Sequence, residues 1–257
     1  MESQLLLRER TCVLVGPLSS VFQNLAMSLT QMGADVAFVD KDTKIAQRFA
    51  NQIMDSREVN EKFGRAVALQ FDVTKADQAR EAICKAAETF GCVDIVIDGL
   101  MSHTPTPFRI DQAADEISQF VDQNLKPSLY ITQAAVNFLK SRKRGRMIYL
   151  AHESFLEGAP VDALNAAIRG GFTYFARALA QEMLEYTLTV NVVSLGMTEE
   201  YLMGHYPDCK TMKEALEKVK AKNPSARITE PDKVSNAILF LTGPSGSSIT
   251  RQIIRTI

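Results

Sequence analysis

The stretch TCVLVGPLSSVFQNLAMSLTQMGADVAFVD, residues 11–40, decides the fold. It opens on a short β-branched run, 11–16, that ends in Gly16. Apolar positions at helical spacing follow over about 18–32, then Gly33, then a second β-branched run at 34–40 closing on Asp40. A strand, a tight turn, a helix and a strand in this order force the two strands to lie parallel, because the helix must cross back over the sheet.

The same alternation continues. Strand-like runs are read at 65–73, 93–99, 145–151, 188–194 and 251–257, with helical runs at about 42–54, 75–89, 111–142, 162–186 and 231–241. Seven strands and intervening helices predict an α/β fold with one doubly wound parallel sheet, covered by helices on both faces. Thr74, before KADQAREAICKAAETF, and Glu230-Pro231 read as helix starts, and Gly33 and Gly91 as left-handed helix ends. No repeat or linker divides the chain, so residues 1–257 are read as one domain. The segment 195–230, the largest irregular stretch, is expected to form a mobile lobe over the crevice.

The 257 residues are 46% apolar and carry a formal net charge of −1. That balance gives no general attraction to nucleic acid or anionic membrane. No apolar run suits a spanning helix and the start lacks the apolar core of an export signal. Cys12, Cys84, Cys92 and Cys209 show no CxxC spacing and are read as reduced thiols of a cytoplasmic protein. The basic run KSRKRGR, 140–146, is assigned to a helix C-terminus at the end of the sheet opposite the binding crevice, where it complements the helix dipole.

In such sheets ligands bind outside the carboxyl ends of the strands, where strand order reverses. The segments at those ends resemble the short-chain dehydrogenase/reductase family. FDVT (71–74) is similar to an adenine-contacting segment. VDIVIDG (93–99) stands where that family has an Asn-Asn-Ala-Gly turn. Asn124 stands where it has an Asn that bends the central helix. GRMIYLAHES, TVNVVSLGMTEE and PDKVSNAILFLTGPSGSSITRQII match later segments in order and spacing. The resemblance implies a single Rossmann-like sheet.

It also implies a reactive centre that this sequence lacks. The family's Tyr and Lys, four apart on the helix after strand 5, fall on Asn165 and Arg169, and its Ser falls on His152. In the enoyl-reductase variant the Tyr would fall on Asp162. A carboxamide exchanges no proton near neutral pH, and guanidinium stays protonated. Tyr149, inside strand 5, reads as core and Asp162 as a helix cap.

The nucleotide fingerprint is altered as well. In VGPLSSVF, Gly16 remains, but the family's second and third glycines are Ser20 and Phe22. The residues expected to line a cofactor are Gly16, Ser20, Val21, Asp40, Asp72 and Val73. They leave open whether a dinucleotide binds. Asp40 would accept from a ribose 2′-hydroxyl, so NAD is favoured over NADP. His103, His152 and His205 all map to crevice loops, but their loops offer no metal-ligand pattern and no metal is expected. Met197 and Met203 are placed in the lobe's pocket.

The expectation is therefore a degenerate active site in a binding, regulatory or assembly protein, with weak NAD(H) binding as a retained option. The crevice candidates are Asn124, His152, Asn165, Arg169 and His103. The alternative is an atypical NAD(H)-dependent oxidoreductase using His152 as proton donor; a lyase or hydratase is a third class. A homodimer or homotetramer is expected, as the family resemblance implies. Phe172, Phe175 and Leu179 supply apolar surface to a helix that would pair. The crevice would hold a small-molecule or protein ligand; neither nucleic acid nor membrane is expected as a partner.

Overall fold

The computed structural model describes residues 6–100, 108–109, 111–142, 144–152, 163–221 and 226–256. Seven strands, β1 (Thr11–Val15), β2 (Asp35–Asp40), β3 (Ala66–Gln70), β4 (Ile95–Asp98), β5 (Arg146–His152), β6 (Thr189–Leu195) and β7 (Ile253–Thr256), form one sheet. Its order is β3-β2-β1-β4-β5-β6-β7 and every neighbouring pair is parallel. The helices are α1 (Ser20–Gln31), α2 (Lys44–Val59), α3 (Ala76–Phe90), α4 (Ala114–Asn124), α5 (Lys126–Ser141) and α6 (Ala163–Glu182). They continue with α7 (Glu199–His205), α8 (Met212–Lys220) and α9 (Pro231–Thr242).

Strand side chains alternate between two apolar layers, as the two-residue period of a strand demands. Val13, Val15, Val96, Met147 and Tyr149 pack with α3, α5 and α6 on one face. Cys12, Leu14, Ile95, Ile97, Ile148 and Leu150 pack with α1, α2 and α9 on the other. Leu202, Cys209 and Ala215 make a small separate cluster with Met197 and Met203 inside the α7–α8 lobe. These two methionines, expected to line a pocket in the lobe, pack against its core instead.

Three local expectations are refined. The long run 111–142 breaks at Leu125. Asn124 folds its amide back onto the Phe120 carbonyl at 2.9 Å, and Pro127, in the first turn of α5, has no N–H to continue the ladder. α3 starts at Ala76 rather than after Thr74, because the Thr74 hydroxyl donates to Asp72 Oδ1 at 2.6 Å instead of capping the helix. The final strand is Ile253–Thr256, shorter than 251–257. Gly33 and Gly91 take positive φ of 90° and 87°, as their places after helices required. Asp162 and His103 lie outside the described residues.

Candidate functional site

Strand order reverses between β1 and β4, so the crevice opens above Gly16 and Gly99. Gly16 has φ 120°, and a Cβ there would stand 3.1 Å from the Gly99 carbonyl group. Only glycine allows the two turns to close this tightly. Ser19 then caps α1, its Oγ accepting the Phe22 N–H at 3.3 Å.

The next amide meets a residue from far along the chain. The Ser20 N–H donates to Glu200 Oε1 at 3.1 Å. Glu200 lies in the first turn of α7, which Thr198 caps by accepting the Tyr201 N–H at 3.2 Å. Burial draws the Glu200 carboxyl upward, but contacts with Ser20 and Thr198 outweigh it and hold the group below its ordinary range. A charged carboxylate thus sits at the positive end of α1.

Phe22 fills the other approach. Its ring is buried and packs over Gly99, where an added Cβ would lie 2.7 Å from Phe22 Cζ. What remains is a cavity of about 240 Å³, lined by Pro17, Leu18, Phe22, Leu150, Leu195 and Tyr201, with Glu200 at its side.

The residues expected to hold a nucleotide divide into two groups. Gly16, Ser20 and Val21 come together at this turn, with Val21 buried. Asp40 ends β2, one strand away. Burial pushes its carboxyl up, while the Lys41 N–H, donating to it at 2.6 Å, opposes the shift. Asp72 and Val73 follow the edge strand β3. Asp72 accepts both the hydroxyl and N–H of Thr74, which lower its carboxyl, and pairs with Lys75 at 3.6 Å. Val73 is turned into the core.

Asn165 and Arg169, each 2% exposed, both lie on the inner side of α6. The Thr173 hydroxyl donates to the Arg169 carbonyl at 2.7 Å. His152 ends β5 opposite Leu195; its side chain is outside the described residues. His205 ends α7 and turns back on its own helix, ring centroids 4.1 Å from Tyr201 and Nδ1 3.2 Å from the Tyr201 carbonyl. Tyr149 is core, as expected, its hydroxyl 2.8 Å from Thr132 Oγ1 and its ring edge-on to Phe172. Burial pushes that phenol well up, so it does not exchange protons near neutral pH.

Sequence reasoning missed two acidic groups here. One is Glu200, whose only local signal is a Thr-Glu-Glu helix start. The other is Asp98, fully buried at the end of β4. Its Oδ1 accepts the Leu100 N–H at 2.9 Å and its Oδ2 has no hydrogen-bond partner. Burial pushes this carboxyl up to about 6, against the opposing pull of the Leu100 N–H. Among the described residues no group of three or more His, Cys, Asp or Glu is placed to hold a metal ion. No helix among them is long and apolar enough to cross a membrane.

Residues 16–256 match the family model described as Enoyl-(Acyl carrier protein) reductase. The chain belongs to the short-chain dehydrogenase/reductase family. It is 23% identical to the 3-oxoacyl-[acyl-carrier-protein] reductase FabG of Thermotoga maritima, over 96% of each chain. It is 27% identical to the acetoacetyl-CoA reductase of an Acinetobacter species, over 71% of each. Levodione reductase shares the fold with a TM-score of 0.85, 18% identity and 96% coverage of both chains.

Members of this family typically bind NAD(P) and are typically oligomeric. A dinucleotide needs a phosphate at the first amides of α1 and a backbone bare enough to approach it. Here Glu200 already takes the Ser20 amide and the Phe22 ring covers Gly99. In this arrangement the residues do not fit a pyrophosphate.

Proposed function

We propose that this chain is a family member that no longer transfers hydride and serves a binding, regulatory or assembly role. One observation carries the proposal: the Glu200 carboxylate accepts the Ser20 amide at the N-terminus of α1, where a phosphate would bind. Asn165 and Arg169 in place of the family's proton-transferring pair support it, since neither exchanges a proton near neutral pH. In this proposal the chain is a single domain, 1–257, whose 195–230 lobe moves over the crevice. Retained dinucleotide binding is weak and prefers NAD(H) to NADP(H), because Asp40 disfavours a 2′-phosphate.

The crevice then accepts a small-molecule or protein ligand rather than nucleic acid or membrane. The protein is cytoplasmic in this proposal and assembles as a homodimer or homotetramer, a step favoured by Tyr174, 71% exposed on α6; Phe172 and Leu179, expected to supply that surface, are instead buried in the core with Phe175 packed against them. Light scattering that finds a concentration-independent monomer contradicts the assembly. The second reading, an oxidoreductase whose proton donor is His152, draws on the reductase names of the relatives. Titration with NADH and NADPH separates the two readings. Binding that is millimolar or absent for both cofactors favours the first, whereas micromolar binding with turnover of a carbonyl substrate favours the second.

A further inference from the structure

At the opposite end of the sheet, where β1, β4 and β5 begin, four arginines surround one carboxylate. Asp94 precedes β4 and its side chain is fully buried. It accepts the Thr11 N–H at 3.1 Å, the Cys92 thiol at 3.1 Å and Arg142 Nε at 2.9 Å, and Arg144 Nε lies 3.5 Å away. Arg10 donates to the Arg144 carbonyl at 3.2 Å and Arg146 to the Gly145 carbonyl at 2.9 Å. Two adjacent carbonyls of one turn therefore each hold a guanidinium.

The charges do not balance. Arg10 is 8% exposed and Arg146 3%, and the buried Arg146 Nε has no hydrogen-bond partner. Arg142 and Arg144 reach Asp94 through Nε alone, so their terminal nitrogens have no acceptor among the described residues. Both are partly open to solvent. The C-terminus of α5 adds about half a negative charge. Four cations against one carboxylate and a helix end leave roughly two and a half positive charges uncompensated, and a buried cation without a counter-charge is costly. Burial, and then Arg10, lower Arg146 to about 10; burial, and then Arg144, lower Arg10.

We propose that this cluster is an oxyanion site for a phosphate group, free or carried as a monoester. Arg142 and Arg144 form the solvent-facing rim, and the less exposed Arg10 and Arg146 add positive charge beneath it. Arginine suits this task because its planar fork matches the oxygens of a phosphate. The site is separate from the crevice and does not depend on the function proposed above.

The test is calorimetric titration of the full chain with inorganic phosphate and, separately, phenyl phosphate, at ionic strength held constant with chloride. The expected result is one site of millimolar affinity or better for at least one probe. Tighter phenyl phosphate would assign the site to monoesters and tighter inorganic phosphate to the free ion. Arg144→Ser and Arg142→Ser, both at partly exposed positions, are each expected to weaken binding about tenfold. Arg144→Lys is expected to fall between Arg144→Ser and the wild type, and Lys213→Ser on α8, in the lobe that follows the carboxyl end of β6, to leave binding unchanged. Three results would overturn the proposal: no heat with either probe at millimolar concentrations, unchanged affinity in both folded serine variants, or an affinity that responds to Glu200→Ala but not to Arg144→Ser.

Discussion

Glu200 and Ser20 stand 180 positions apart in sequence, yet the carboxylate of one accepts the backbone N–H of the other at 3.1 Å. The contact ties the α7–α8 lobe to the first turn of the sheet and supplies α1 with an anion of its own. It satisfies an amide that a helix start otherwise leaves open. Glu200→Ala is expected to cost about 1 kcal/mol of stability at neutral pH, measured by urea denaturation. The folded-state carboxyl titrates below its unfolded value. Its contribution is therefore present above the unfolded value, about 4.3, and fades as pH falls through the folded one. Wild type and Glu200→Ala are expected to converge in stability in acid.

Asp98 has the opposite sign. Burial raises its carboxyl to about 6, so the native state holds this proton more tightly than the unfolded chain does. Its effect on stability is most favourable below the unfolded value, about 3.9, and is lost as pH rises to about 6, a change of about 3 kcal/mol. Asp98→Asn removes the charge and keeps the shape. Its thermal midpoint is expected to exceed that of the wild type at pH 7, with the advantage shrinking toward pH 4. An unchanged midpoint at both pH values would count against a buried carboxylate with a raised pKa.

The seat of Phe22 is tested by Gly99→Ala. The added methyl would stand 2.7 Å from Phe22 Cζ, and the buried Phe22 ring has little room to move away. A loss of about 1–3 kcal/mol is expected. Phe22→Leu in the same chain removes the ring atoms that clash, and the pair is expected to be more stable than the sum of the two single changes. Strict additivity would place the ring elsewhere.

Most of the fold was legible because period and punctuation are local signals. Gly16, Gly33 and Gly91, the β-branched runs and Pro231 located the strands and most helices to within a few residues, but α7 and α8 fell in a stretch read as irregular, being too short to show a helical period. The site was legible only where it is made of neighbours. Ser20 and Phe22 could be read as intrusions into a glycine pattern, and Asn165 and Arg169 as substitutes in a spaced pair. Glu200 could not be assigned to Ser20, since nothing in a Thr-Glu-Glu helix start reports which amide lies across the crevice. Asp94 and Asp98 frame a strand of three apolar residues. Whether such an acid is solvated or buried depends on the helices packed above it, which no local pattern encodes. The run 140–146 looked like ordinary dipole compensation. Its convergence with Arg10 on Asp94 needs the adjacency of β1, β4 and β5.

Asp94 itself makes a stability prediction. It is the only carboxylate that pairs with Arg142 and Arg144 among the described residues, and burial, which raises it, is outweighed by Arg142, the Thr11 N–H and Cys92. Asp94→Ala leaves partly buried guanidinium groups without their partner. A loss of about 3–5 kcal/mol is expected in denaturant titration. A loss below about 1 kcal/mol would mean that solvent already screens the cluster.

The most direct measurement is calorimetric titration of NADH into the wild type and into Glu200→Ala/Phe22→Gly. Binding to the wild type is expected to be millimolar or absent, with a clear gain in affinity once the carboxylate and the ring are gone. Micromolar binding of NADH to the wild type, unaltered in the double variant, would contradict a nucleotide seat filled by Glu200 and Phe22.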